Sequence, residues 1–330
     1  MNNDSNNSIK AKDWKNKLIS SSLPLEFEAA RVLVSQNFSV TADYTYARDD
    51  SGIAKDFSVD LLARAFTPFT NPNKITASLE LLVECKQRNP NTKWLFLPDI
   101  NRGDLSPITI GITLRAVDEF HKGFFPSSST IAFDRDGPFC YKGTEIDENT
   151  GRVDDSELKH GISQLQYALP RLLTDNILFQ LRCHEDDNVP FLFCPILLTT
   201  SKLFILNRKV NINDIRTAKS LNDIAKCVPY LFLYSDCGPD FEKHCIKECS
   251  SLRNPYSESI SDINEYRLKH GEYEFKLPQN LGLSIANGRE HDYFTQFVVC
   301  SFENFPSLLR RIKQITSDMV RRISSDSDMP

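Results

Sequence analysis

No apolar run in this chain of 330 residues approaches 18 residues, which excludes a transmembrane helix. Glycine is scarce, with 12 in all. The sequence has no G-x-x-x-x-G-K-[ST] loop, no G-x-S-x-G elbow and no H-E-x-x-H pair. Those absences exclude a P-loop, a serine-hydrolase elbow and a zincin helix. The opening residues, Met1 to Ser8, are polar and lack the apolar centre of a signal peptide, so 1–20 reads as a disordered tail. A surplus of positive charge is also missing. The net charge of −5 does not advertise a nucleic-acid binder, although a local basic strip matters more than the total.

Cysteine is present, but in an odd number, nine, and mostly inside apolar runs (Cys85, Cys183, Cys194, Cys300). This favours reduced core thiols and a cytoplasmic location. Cys237, His244, Cys245 and Cys249 lack the paired C-x-x-C spacing of structural zinc and read as core or free thiols. The remaining composition, 40% hydrophobic and 25% charged, is that of an ordinary globular protein.

The informative segment is Leu79-Glu80-Leu81-Leu82-Val83-Glu84-Cys85-Lys86, an apolar run of strand length ending in an acid and a base. Side chains alternate along a strand, so Glu84 and Lys86 share a face and Val83 and Cys85 take the other. A buried acid and lysine are costly without a task. Asp60 lies in a second apolar run, Phe57 to Ala63. Adjacent strands carrying Asp60 and Glu84 could hold a divalent metal through oxygen. Lys86 could stabilise charge building on a phosphate. E-x-K also occurs at Glu157-Lys159, a solvated helix start, and at Glu274-Lys276, an alternating strand with a charged outer face. Only the first copy follows a continuous apolar strand, with an Asp-bearing strand 24 positions upstream.

This order resembles the PD-(D/E)xK nuclease superfamily, with an Mrr-type restriction-endonuclease flavour carried by Phe27-Glu28 on the first helix. Val59 stands where the motif's Pro would be. The resemblance covers roughly 20–90, extending at most to 205. It implies an α/β fold: a restriction-endonuclease-like mixed central sheet flanked by helices, here with a long insertion and a C-terminal α+β extension. The expected organisation is a nuclease-like domain over 21–210 with an insertion at 88–155, then an extension or second small domain over 211–330. The implied activity is hydrolysis of DNA phosphodiester bonds with Mg²⁺ or Mn²⁺, in restriction or phage defence. Asp60, Glu84 and the Cys85 carbonyl are the implied ligands, and Lys86 orients water or stabilises charge on phosphorus. The family pattern puts a supporting acid directly after the Phe, at Glu28. Glu26, which shares a face with Ala29, Ala30 and Leu33, is the alternative. Arg88 follows the E-x-K strand as an expected nucleic-acid contact, and Gln164 and Gln166 match a glutamine on the following helix. RNA stays open as substrate, as do a homodimer and a partner defence protein. A binding module without catalysis and a structural subunit with a buried ion network are the rival classes.

The elements expected are a helix over 22–36, strands over 37–46, 56–66 and 79–87, and short strands within 88–155. A helix over 156–173, kinked or ended by Pro170, follows. Strands over 191–200, 203–206, 228–234 and 293–301 come next, and an amphipathic helix over 308–319 closes the chain.

Overall fold

The computed structural model describes residues 14–50, 52–70, 74–99, 114–117, 131–132, 137–182, 189–253, 261, 265, 268–269, 285 and 287–327. Residues 14–20 are helical, where a disordered tail was expected. Glu274 and Lys276 lie outside the described residues, as do 1–13 and, within the expected insertion at 88–155, residues 100–113 and 118–130. Among the described residues, no helix is long and apolar enough to cross a membrane.

Helix α1 (Leu23–Ser35) starts with a proline in its first turn, where the missing N–H costs nothing. It buries Leu25, Ala29 and Leu33, a stripe at helical spacing. Asn37 closes it in the left-handed region (φ 65°). The N–H groups of Asn37 and Phe38 bond the carbonyls of Val34 and Leu33, a Schellman cap that turns the chain into the sheet. Strands β1 (Ser39–Asp50) and β2 (Ile53–Thr67) form a hairpin, and β3 (Ala77–Lys86) adds antiparallel to β2. Strands β4 (Thr92–Pro98), β5 (Leu114–Val117), β6 (Ile131–Ala132), β7 (Phe139–Asp147) and β8 (Val153–Asp154) precede helix α2 (Ser156–Arg182).

Then come β9 (Phe191–Thr199), β10 (Lys202–Leu206), the short helices α3 (Ile212–Thr217) and α4 (Leu221–Ile224), β11 (Ala225–Val228) and β12 (Tyr230–Tyr234). Helices α5 (Pro239–Glu248) and α6 (Ser250–Arg253), strand β13 (Gln296–Ser301) and helix α7 (Phe305–Ser327) complete the set. The strands join one mixed sheet in the order β1-β2-β3-β9-β13-β12-β7-β4-β10-β11. Strands β3, β9 and β13 run parallel to one another. Every residue of β3 and β9 is buried, as expected of parallel strands covered on both faces. One face packs on α2 and α5 through Leu165, Leu169, Leu172 and Phe241. The other packs on α1 and α7 through Leu25, Leu33, Leu308 and Ile312.

Two further results differ from the expectation. Strands β12 and β13, from the segment expected as an extension, lie inside the sheet between β9 and β7. Helix α2 runs on past Pro170 to Arg182. Burial of Leu172, Leu173 and Ile177 holds the part beyond the proline, where packing outweighs one lost hydrogen bond.

Candidate active site

Antiparallel pairing of β2 and β3 runs from Thr67↔Ala77 to Leu61↔Val83 and stops there. The next rung would join Asp60 to Glu84, so the strands part where the two acids face each other. The β1–β2 hairpin also changes there. Val59 packs in the α2 core, whereas Leu61, two residues on, packs in the α1–α7 core. In β1, Val40 packs on the α1–α7 side and Tyr44 on the α2 side. Residues of equal parity should share a face, so both strands turn over between these positions. Asp43 sits at the turning point with φ 55°, a left-handed conformation that Asp tolerates better than most residues. Ala42 pairs with Leu61 and Tyr44 with Val59, which leaves Asp43 opposite Asp60.

The turnover aims Asp60 along the sheet. Its Oδ2 accepts the backbone N–H of Cys85 at 2.6 Å, replacing the missing ladder bond. The Cys85 side chain is buried in the α1–α7 core. Burial raises the Asp60 carboxyl, while the Cys85 amide and Lys86 oppose the rise.

Glu84 faces α2 and is 1% exposed. Its Oε1 pairs with Lys86 Nζ at 2.8 Å. Its Oε2 is buried with no hydrogen-bond partner. Burial first, and then the charge of Asp60, push Glu84 up to about 7 against the pull of Lys86 and of the Asp60 backbone N–H. Glu80, four residues earlier on the same face, is equally buried but satisfied, by Arg64 Nε at 2.6 Å and Asn176 Nδ2 at 3.0 Å. Of these two acids, only Glu84 carries an open oxygen. Buried polar atoms are rarely left unpaired.

Lys86 Nζ also donates to Gln164 Oε1 at 3.0 Å, and Gln164 Nε2 donates to the Ser58 carbonyl at 3.1 Å. One glutamine on α2 thus ties β3 to β2. The helix comes this close because residue 161 is glycine. A Cβ there would lie 2.6 Å from Leu197 Cδ1 and 3.0 Å from Lys86 Cε. His160, one turn before Gln164, is held below the usual imidazole range by partial burial and by Lys86.

Several expected residues sit elsewhere. Glu28 is exposed and pairs with Arg31 at 3.0 Å on the outer flank of α1. Glu26 takes the inner flank, and its carboxyl is raised by burial, Asp60 and Asp43. The helical phase Glu26 shares with the buried Ala29 and Leu33 carried that signal, and the Phe-Glu pattern overrode it. Gln166 is buried, with Nε2 donating to the Phe294 carbonyl at 3.2 Å. That is a core role, not one at a nucleic-acid surface. Arg88 does not project freely; it is clamped between Glu145 at 2.6 Å and Glu157 at 2.5 Å. Asp43, Gly161 and His160 were not singled out from sequence, because their roles arise only from strand register and helix approach.

Among the described residues, no three His, Cys, Asp or Glu side chains converge closely enough to cage a metal. His244, from the Cys-rich segment, bonds the Tyr167 carbonyl at 2.9 Å instead. The Asp60–Glu84 pair offers two carboxylates and one open buried oxygen. Mg²⁺ ordinarily takes one or two carboxylates and completes its shell with water and substrate phosphate. The residues present fit an ion of that kind. Comparison with family models, curated proteins and solved structures found no match for this chain.

Proposed function

We propose that this protein is a metal-dependent nuclease of restriction-endonuclease-like fold that hydrolyses DNA phosphodiester bonds. The observation that carries the reading is Glu84, buried, raised to about 7 and left with one unpartnered oxygen beside Asp60 and Lys86. The order helix, three antiparallel strands, then, after the intervening strands β4–β8, helix and parallel strand supports it further. Asp60 and Glu84, with the Cys85 carbonyl, would hold Mg²⁺ or Mn²⁺. The bound ion supplies an acidified water and positive charge against the phosphate.

The side chains supply the rest. Lys86, held by Glu84 and Gln164, presents its ammonium where charge builds on the phosphate oxygens. Gln164 fixes that ammonium, so the arrangement is set before substrate arrives. Glu26 and Asp43 add negative charge on the α1 and β1 sides of Asp60, which favours a cation at the pair. Restriction or phage defence is the biology that goes with this reading by analogy.

The rival is a buried ion network without chemistry, favoured by the existing Lys86–Glu84 pair. Incubation with plasmid DNA in Mg²⁺, in Mn²⁺ and in EDTA separates the two. Nicking or linearisation is expected with either metal and none with EDTA, and Asp60→Asn, Glu84→Gln and Lys86→Met should each abolish it. Cleavage that survives thorough chelation would refute the metal mechanism. Cleavage retained by Glu84→Gln would refute the site. The same incubation with RNA decides the choice of nucleic acid.

A further inference from the structure

A cleft of about 710 Å³ opens one residue beyond Lys86, lined by Gln87, which follows β3, and by Thr200, which follows β9. It therefore lies outside the carboxyl ends of two parallel strands, where open α/β sheets bind ligands. Asn16 and Ser20 line it from the helical stretch at 14–20, and Ser156 and Glu157 from the start of α2. Its volume suits one small organic group.

The charges in the cleft are already committed. Arg88 bridges Glu145 and Glu157, and Trp94 Nε1 also donates to Glu145 at 2.8 Å. Arg152 pairs with Asp154, and Asp147 accepts the N–H groups of Asn149 and Thr150. Four carboxylates stand against two guanidiniums, so a phosphate would meet net repulsion. Thr200 is spent on the backbone of Arg88, accepting its N–H at 2.8 Å and donating to its carbonyl at 3.1 Å, which leaves the neutral amides of Asn16, Gln87 and Asn89 to face the cleft. Side-chain amides pair with the edges of bases, as Asn and Gln do with adenine. Among the described residues lining the cleft none is aromatic, which argues against recognition by stacking.

The geometry points to a nucleobase site: the cleft holds, by its hydrogen-bonding edge, the base of the nucleotide next to the cleaved phosphate. Arg88 acts as a positioning residue that fixes the two walls at Glu145 and Glu157. The inference deepens the nuclease reading and rests on it for the ligand's identity.

The test uses the full chain with Asn89→Trp, which fills the cleft, and Gln87→Ala, which removes one base contact. Both residues lie outside the buried core. Binding is read in EDTA by fluorescence anisotropy with a labelled DNA oligonucleotide. Cleavage is read in Mg²⁺ by mapping the base beside each cut. Asn89→Trp should weaken binding about tenfold, the loss of one or two hydrogen bonds. Both variants should flatten the wild-type base preference beside the cut. Unchanged affinity and preference in both variants, or no DNA binding by the wild type, would overturn the inference. Cutting with indifferent variants leaves the nuclease reading standing without this site. Variant-sensitive binding without any cutting leaves the base site standing without the nuclease.

Discussion

Glu80 and Glu84 share a strand, a face and nearly complete burial, yet only Glu80 has both oxygens occupied. The difference has a consequence for stability. A carboxylic acid whose folded pKa exceeds its unfolded value stabilises the fold through its protonated form. Its contribution is complete below the ordinary value of 4.5 and lost as pH rises through about 7. Asp60, also raised, acts in the same direction. In EDTA, the unfolding free energy should therefore fall between pH 5 and pH 8 by on the order of 3 kcal/mol at most, and the melting temperature should fall with it. Glu84→Gln should remove most of that slope, and a slope unchanged in the variant would show that Glu84 titrates normally.

The choice between Glu26 and Glu28 also belongs to single residues. Glu26→Gln should slow cleavage by about tenfold or more, as for groups that orient a metal's ligands. Glu28→Ala should change it by less than about twofold, since it loses only an exposed ion pair. Cleavage rates under substrate saturation decide, and the opposite ranking would return the role to Glu28. Asp60, Glu84 and Lys86 were legible in sequence because apolar strands around charged residues are rare. The position of Glu26 was legible in helical phase, but a motif pattern competed with it.

Among the elements, the approach of α2 to β3 depends on one missing side chain. Gly161→Ala would place a methyl group against Leu197 and Lys86. It should cost about 1–3 kcal/mol of stability by overpacking and slow cleavage about tenfold or more through displaced Lys86. Gly238→Ala, where an added Cβ meets nothing within 4 Å, is the control and should stay within about 1 kcal/mol of wild type. Equal effects in denaturant melts of the two variants would mean that α2 has room to move. The elements α1, β2, β3, β9 and β10 were readable from periodicity and from length. The turnover at Asp43 and Asp60 was not, because equal parity in one strand predicts equal faces until a left-handed residue breaks the rule. Helix α2 was foreseen only over 156–173, with a kink or an end at Pro170, since its second half is held by contacts with distant residues such as Glu80.

At the scale of the molecule, the C-terminal third completes the sheet. β13 lies against β9 and β12 against β7, and α7 covers the face that α1 begins to cover. Sequence order hid this, because β13 pairs with a strand nearly a hundred residues before it and local pattern carries no register between them. The same sheet carries Asp60 and Glu84 at the point where β2 leaves β3, so the site depends on the whole sheet being assembled. These two carboxylates are proposed to hold a divalent cation. Calorimetric titration of Mn²⁺ into the wild-type chain at pH 7.5 tests this without relying on a substrate. Saturable binding is expected in the wild type, lost in both Asp60→Asn and Glu84→Gln and retained in Glu157→Gln. A wild type that takes up no Mn²⁺, or a Glu84→Gln variant that binds it as well as the wild type, would contradict the account.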